Sequence, residues 1–127
     1  MAYKEAIQKV GIDESDVIDW RDAKYYGCNG EDAINYPGYV ILTKDKLIFV
    51  SKKGFLRSAK KRYDVEVSQI KKISKLPLMK QFIIYANTAK EGAGFLKKMF
   101  KSKNAQIYMK EGKSFVEKVK EVNPHIE

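Results

Sequence analysis

Few side chains in this sequence are spaced for covalent chemistry. The one histidine, His125, stands close to the last residue. The one cysteine, Cys28, has no histidine beside it and falls in Gly27-Cys28-Asn29-Gly30, which reads as a tight turn holding an ordinary thiol. The acidic pairs Asp13/Glu14 and Glu31/Asp32 lie beside turns, where carboxylates cap backbone amides, and are not set as a general acid and base. Gly92-Ala-Gly94 is only a fragment of a phosphate-cradling glycine loop, and no spacing suggests zinc or calcium. The expectation is therefore no enzyme, no metal and no cofactor. What remains is recognition.

Charge supplies the material for it. Lysine and arginine number 25 against 16 acids, a net charge of +9, and they are unevenly spread. Acids gather early, from Asp13 to Asp32, and bases dominate the middle. Such asymmetry suggests one basic face that attracts an anionic partner, either a membrane surface or nucleic acid. Nucleic acid is the weaker expectation, because no recognisable motif and no aromatic stacking platform can be read in the sequence.

Three stretches are candidate surfaces. The first holds Lys52, Lys53, Arg57, Lys60, Lys61 and Arg62 around Phe55-Leu56. Its cations suit phosphate groups, and the apolar pair either dips into a lipid interface or folds onto the protein. The second is Gly94-Phe-Leu-Lys-Lys-Met-Phe-Lys101, with Lys97 and Lys98 opposite Phe95, Leu96, Met99 and Phe100 if helical. It reads as a membrane-surface turn or as a satellite core under a long loop. The third is Leu76-Pro77-Leu78-Met79, an apolar loop that is either packed or offered to a partner.

The elements that would position these stretches follow from periodicity. Residues 3–10 suit a short helix with Ala6, Ile7 and Val10 on one side, ended by Gly11. Residues 17–26 read as a first strand. Residues 38–50 form the strongest signal: two apolar runs, Tyr39-Val-Ile-Leu42 and Leu47-Ile-Phe-Val50, joined by a polar turn. Further strands are expected over 62–67, 69–76, 81–86 and 104–109, with Ile70 and Ile73 buried. Phe115, Val116, Val119 and Val122 then share one face of a helix over 111–122, which Pro124 ends. Seven short strands and one amphipathic helix want a barrel or sandwich plugged at one end, the order of the pleckstrin-homology (PH) superfold. Residues 1–127 are read as one such domain, with 1–12 as an N-terminal extension. No apolar run approaches the ~20 residues that span a bilayer. With no signal-like hydrophobic region at Met1-Ala-Tyr-Lys-Glu and a single cysteine, the expected location is the cytoplasm, peripheral at membranes.

Asp16-Val-Ile, then Arg21, a tyrosine–glycine turn and Gly38-Tyr-Val-Ile-Leu-Thr-Lys-Asp-Lys-Leu-Ile resemble, in that order, the N-terminal GLUE domain of ESCRT-II. Ser68-Gln69-Ile70 is similar to the step after that family's fourth strand, and Phe115-Val-Glu-Lys-Val to its closing helix. The hairpin alone is shared with GRAM and other PH-like domains. The resemblance implies a split-PH fold that binds ubiquitin or a ubiquitin-like protein, in some members a phosphoinositide, beside other ESCRT subunits in protein transport. The compact chain suits an archaeal form. The implied ubiquitin contacts are Ile73, Leu76, Leu78, Met79, Phe115 and Lys118. Anionic lipid would fall to Lys52, Lys53, Arg57, Lys60, Lys61, Arg62, Lys97 and Lys98. A GRAM-like or PH-like domain for acidic phospholipids, or for a protein partner, is the alternative.

Overall fold

The structure is a computed structural model that describes residues 2–29, 35–54, 58–77, 81–89, 94 and 102–127. Helix α1 (Ala2–Lys9) precedes β1 (Val17–Cys28), β2 (Tyr36–Thr43), β3 (Lys46–Ser51) and β4 (Lys60–Glu66). Then come β5 (Ile70–Lys75), β6 (Gln81–Ala86), β7 (Ala105–Met109) and helix α2 (Gly112–Val122). All strand pairs are antiparallel, in the order β4-β3-β2-β1-β7-β6-β5. The fold is PH-like: a curled seven-stranded sheet around one core, capped by the C-terminal helix. No helix among the described residues is long and apolar enough to cross a membrane.

The expected elements form, with boundaries within about two residues of the pattern. Thr43 Oγ1 accepts from the Lys46 amide at 3.0 Å and closes the hairpin turn, so Leu42 pairs with Leu47. The hairpin is apolar on both faces because it serves two cores. Val40, Leu42, Leu47 and Phe49 point inward to meet Phe115, Val116 and Val119 of α2. Tyr39, Ile41, Ile48 and Val50 point outward and are covered by Tyr3, Ala6 and Ile7 of α1. The described part of the N-terminal extension thus packs on the sheet. α1 completes a second core, and fully burying a side chain such as Ile7 contributes about 1.5–3 kcal/mol.

β1 runs longer than the pattern indicates. Between Tyr25↔Ile107 and Cys28↔Ala105 it holds one residue more than β7, a bulge that Gly27 absorbs with φ of 115°. The left-handed residue of the following turn is Asn29, φ 57°. Its side chain bonds the Ser102 carbonyl and the Asn104 amide, both at 2.9 Å, and so fixes the end of β1 to the start of β7.

Both outer strands of the sheet make contacts with neighbouring segments. The Ser68-Gln69 step forms a short 3-10 turn that carries the chain from β4 to β5, with Glu66 and Gln69 bonded reciprocally. At β5, the Ile73 amide donates to the Glu127 carbonyl at 2.9 Å and the Glu127 amide to the Lys71 carbonyl at 3.0 Å. At β4, Lys103 Nζ donates to the Asp64 carbonyl at 2.7 Å and Tyr63 Oη to the Lys103 carbonyl at 2.7 Å. Unpaired edges invite association, and these contacts occupy part of each edge.

Candidate functional site

The end of β1 and the starts of β2 and β4 meet Lys103, just before β7, around a cavity of about 440 Å³. Its floor is aromatic: Tyr25 and Tyr63 are buried there, and the Tyr25 ring stacks on Phe49 at 5.2 Å. Burial, with Cys28 and Tyr25 beside it, pushes the Tyr63 hydroxyl well up, so it stays a proton donor. The rim is cationic, formed by Lys60, Lys61, Arg62 and Lys103.

These cations are held differently. The Arg62 guanidinium lies 4.1 Å from the Tyr36 ring centroid, and its Nε donates to Ser51 Oγ at 3.3 Å. Stacking orients the planar fork without neutralising it. Lys61 is tied to the Asp64 carboxylate at 2.8 Å, which Lys46 also approaches at 3.4 Å. Burial raises the Asp64 pKa, but the Lys61 hydrogen bond and both charges outweigh it, and the net direction is down. Asp64 thus stays ionised and partly cancels Lys61. Among the described residues, no carboxylate pairs with Lys60, Arg62 or Lys103. A guanidinium and two ammonium groups without a described carboxylate partner thus stand over an aromatic floor, with Lys103 Nζ also donating to the Asp64 carbonyl.

Of the expected lipid contacts, Lys60, Lys61 and Arg62 come together here. Lys52 and Lys53 lie apart, lining a depression of about 310 Å³ between α1 and the chain before β4. Lys52 leans over Tyr39 at 5.2 Å and toward Asp22 at 3.8 Å. Arg57, Lys97 and Lys98 lie outside the described residues. Lys103 and Tyr36 complete the site and were not assigned to it. Neither stands near Lys60 in sequence, and the only available signal was a place in strand-connecting segments at one end of the sheet.

Among the described residues, the expected ubiquitin contacts Ile73, Leu76, Phe115 and Lys118 do not form one surface. Phe115 is fully buried and Ile73 is 7 % exposed, a correction for both. Phe115 lies in the core beneath α2, and β5 turns Ile73 inward. Leu76 is half-buried where its amide closes the β5–β6 hairpin on the Gln81 carbonyl at 2.9 Å. Leu78 and Met79 lie outside the described residues. Lys118 is exposed but reaches across to Asp19 of β1 at 3.0 Å. Asp19 also takes a hydrogen bond from Arg21, whose guanidinium stands over the Phe115 ring at 5.7 Å. Arg21, prominent in the GLUE resemblance, here joins β1 to α2.

No protein-family model matches the chain, and no curated protein matches it. The resemblance to GLUE domains therefore rests on the residues quoted for it. Among the described residues, no three His, Cys, Asp or Glu side chains gather as a metal site needs.

Proposed function

We propose that this protein is a non-enzymatic recognition module that docks on anionic membrane, taking a phosphate-bearing lipid headgroup in the cavity at the end of β1 and the starts of β2 and β4. The convergence of Lys60, Arg62 and Lys103, none paired with a described carboxylate, carries the reading. Each base near an anionic leaflet is worth about 1 kcal/mol, so three supply ~3 kcal/mol. That is weaker than the ~4 kcal/mol of a millimolar complex, so binding is reversible, salt-sensitive and dependent on many lipids or a second contact. Stacked Arg62 adds geometry, since its fork engages two phosphate oxygens at once.

The test is an NMR titration with a soluble inositol polyphosphate. Amide shifts centred on Lys60, Arg62, Tyr36 and Lys103 support the site. Shifts centred elsewhere, or none, remove it.

The GLUE resemblance implies ubiquitin as a second partner. Of the assigned residues, half-exposed Leu76 at the β5–β6 hairpin favours it most. No shift change at millimolar ubiquitin would sink that reading and leave the anion site untouched.

A further inference from the structure

The sheet has two outer faces, and α1 covers that of β1, β2 and β3. Strand alternation turns a second set of side chains outward on β7, β6 and β5, beyond the reach of α1. Tyr108 and Tyr85 stand on that face, half-buried, and Tyr26 joins them from β1. Register fixes their neighbours: Lys24 is opposite Tyr108, and Lys72 is opposite Tyr85. Lys72 Nζ stands 6.0 Å from the Tyr85 ring centroid, so a cation already sits over that ring. Tyr26 and Tyr85 border a shallow depression of about 540 Å³, together with the carboxamides of Asn104 and Gln106. The sequences of β5, β6 and β7 contain no aspartate or glutamate.

We propose that this face binds single-stranded nucleic acid. The three tyrosine rings offer stacking surfaces to unpaired bases. The Ala86 amide donates to Asn104 Oδ1 and Gln106 Nε2 donates to Gln81, so Asn104 Nδ2 as donor and Gln106 Oε1 as acceptor face base edges between those rings. Lys24 and Lys72 flank them and take phosphates, and no carboxylate on these three strands repels the backbone. An acidic protein would satisfy the lysines, but separated rings with carboxamides between them fit flat, polar-edged bases better. The reading of the sequence against nucleic acid rests on the want of a recognisable motif and of an aromatic platform; the structure bears on the second. Strand pairing assembles one from positions 26, 85 and 108. The face is also separate from the headgroup cavity: β1 turns Tyr25 into that cavity and Tyr26 toward this depression.

Fluorescence anisotropy with labelled oligouridylate and oligothymidylate of about 12 nucleotides tests the proposal, against a duplex and a polyglutamate of similar charge. The single strands are expected to bind at least about tenfold more tightly than either control at low salt, and to weaken as salt rises. Preference for one of the two strands identifies it as RNA or DNA. Tyr85→Ala and Tyr108→Ala each weaken binding about fivefold or more, whereas the Phe variants, which keep the ring, stay within about twofold. Lys24→Gln with Lys72→Gln weakens binding and lowers its salt dependence, and does not rely on the folding of an alanine variant. Lys60→Gln with Arg62→Gln leaves binding within about threefold, because phosphate contacts on the other side of β1 are lost without any stacking. Absence of single-strand binding, equal binding of polyglutamate or duplex, or indifference to both the tyrosine and the Lys24/Lys72 substitutions would overturn the proposal.

Discussion

Tyr3 of α1 lies flat on Trp20 of β1, with ring centroids 4.0 Å apart and planes 9° from parallel. Tyr39 meets both rings edge-on, at 5.5 and 5.6 Å. This trio locks the N-terminal helix to the outside of the sheet. Tyr3→Ala is expected to cost about 3–5 kcal/mol, read by chemical denaturation. The single tryptophan, Trp20, reports the loss directly in its fluorescence.

The Tyr3 hydroxyl is buried with no hydrogen-bond partner among the described residues. Burial first, then the charges of Glu14 and Asp19, push its pKa up to about 12 from 10.0. Above pH 10 the unfolded chain releases this proton and the folded chain keeps it, so the unfolded state binds fewer protons. The Tyr3 contribution is therefore complete below about pH 10 and is lost as pH rises toward 12. Tyr3→Phe keeps the stacking, removes the orphan hydroxyl and flattens this alkaline decline. Denaturation midpoints of both proteins from pH 8 to pH 12 check it, and parallel curves contradict it.

Asp19 holds the join between β1 and α2. Burial raises its pKa, but hydrogen bonds from Lys118, the Trp20 amide and Arg21 outweigh it, and the direction is down. Its contribution is present above the unfolded carboxylate pKa of 3.8 and is lost as pH falls below that value. Asp19→Asn leaves half-buried Arg21 without its anion and is expected to destabilise by ~1–3 kcal/mol at pH 7. It also lessens the stability lost on acidification, which urea denaturation at pH 7 and pH 3 resolves.

Much of this fold was legible in the sequence. The hairpin, the alternation of Tyr63 and Val65, and the stripe of α2 are local periodicities, and each formed where the pattern put it. Less legible was anything made by pairing across the sheet. The continuous apolar run of β2 announced burial on both faces, but not that residues 2–9 supply the second cover. Lys60 and Arg62 were picked from a charge run, whereas Lys103 joins them only through the curl of the sheet. The family likeness makes Phe115 a contact because it covers that helix, whereas its place on the apolar stripe of α2 marks it as core.

Two glycines test the packing. A methyl group on Gly38 would overlap the Val50 carbonyl oxygen of the paired strand, and one on Gly112 would overlap the Phe82 ring. Backbone cannot yield as a side chain can. Gly38→Ala is expected to cost ~3 kcal/mol or more and Gly112→Ala ~1–3 kcal/mol, both read from thermal melts. A smaller loss at Gly38 than at Gly112 would contradict the close approach of β2 and β3.

Phosphate-bearing lipid at the end of β1 and the starts of β2 and β4 is the central claim, and flotation on vesicles tests it most directly. Wild-type protein is compared with Lys60→Glu, Arg62→Glu double variant on phosphatidylcholine vesicles with and without a phosphoinositide, at low and high salt. The account predicts flotation of the wild type only with the anionic lipid at low salt. In the variant, losing two contacts worth about 1 kcal/mol each weakens binding at least roughly 30-fold, while loss of the Arg62–Tyr36 stacking lowers thermal stability by only about 1 kcal/mol. Equal flotation of the two proteins, or none at low salt, would contradict it.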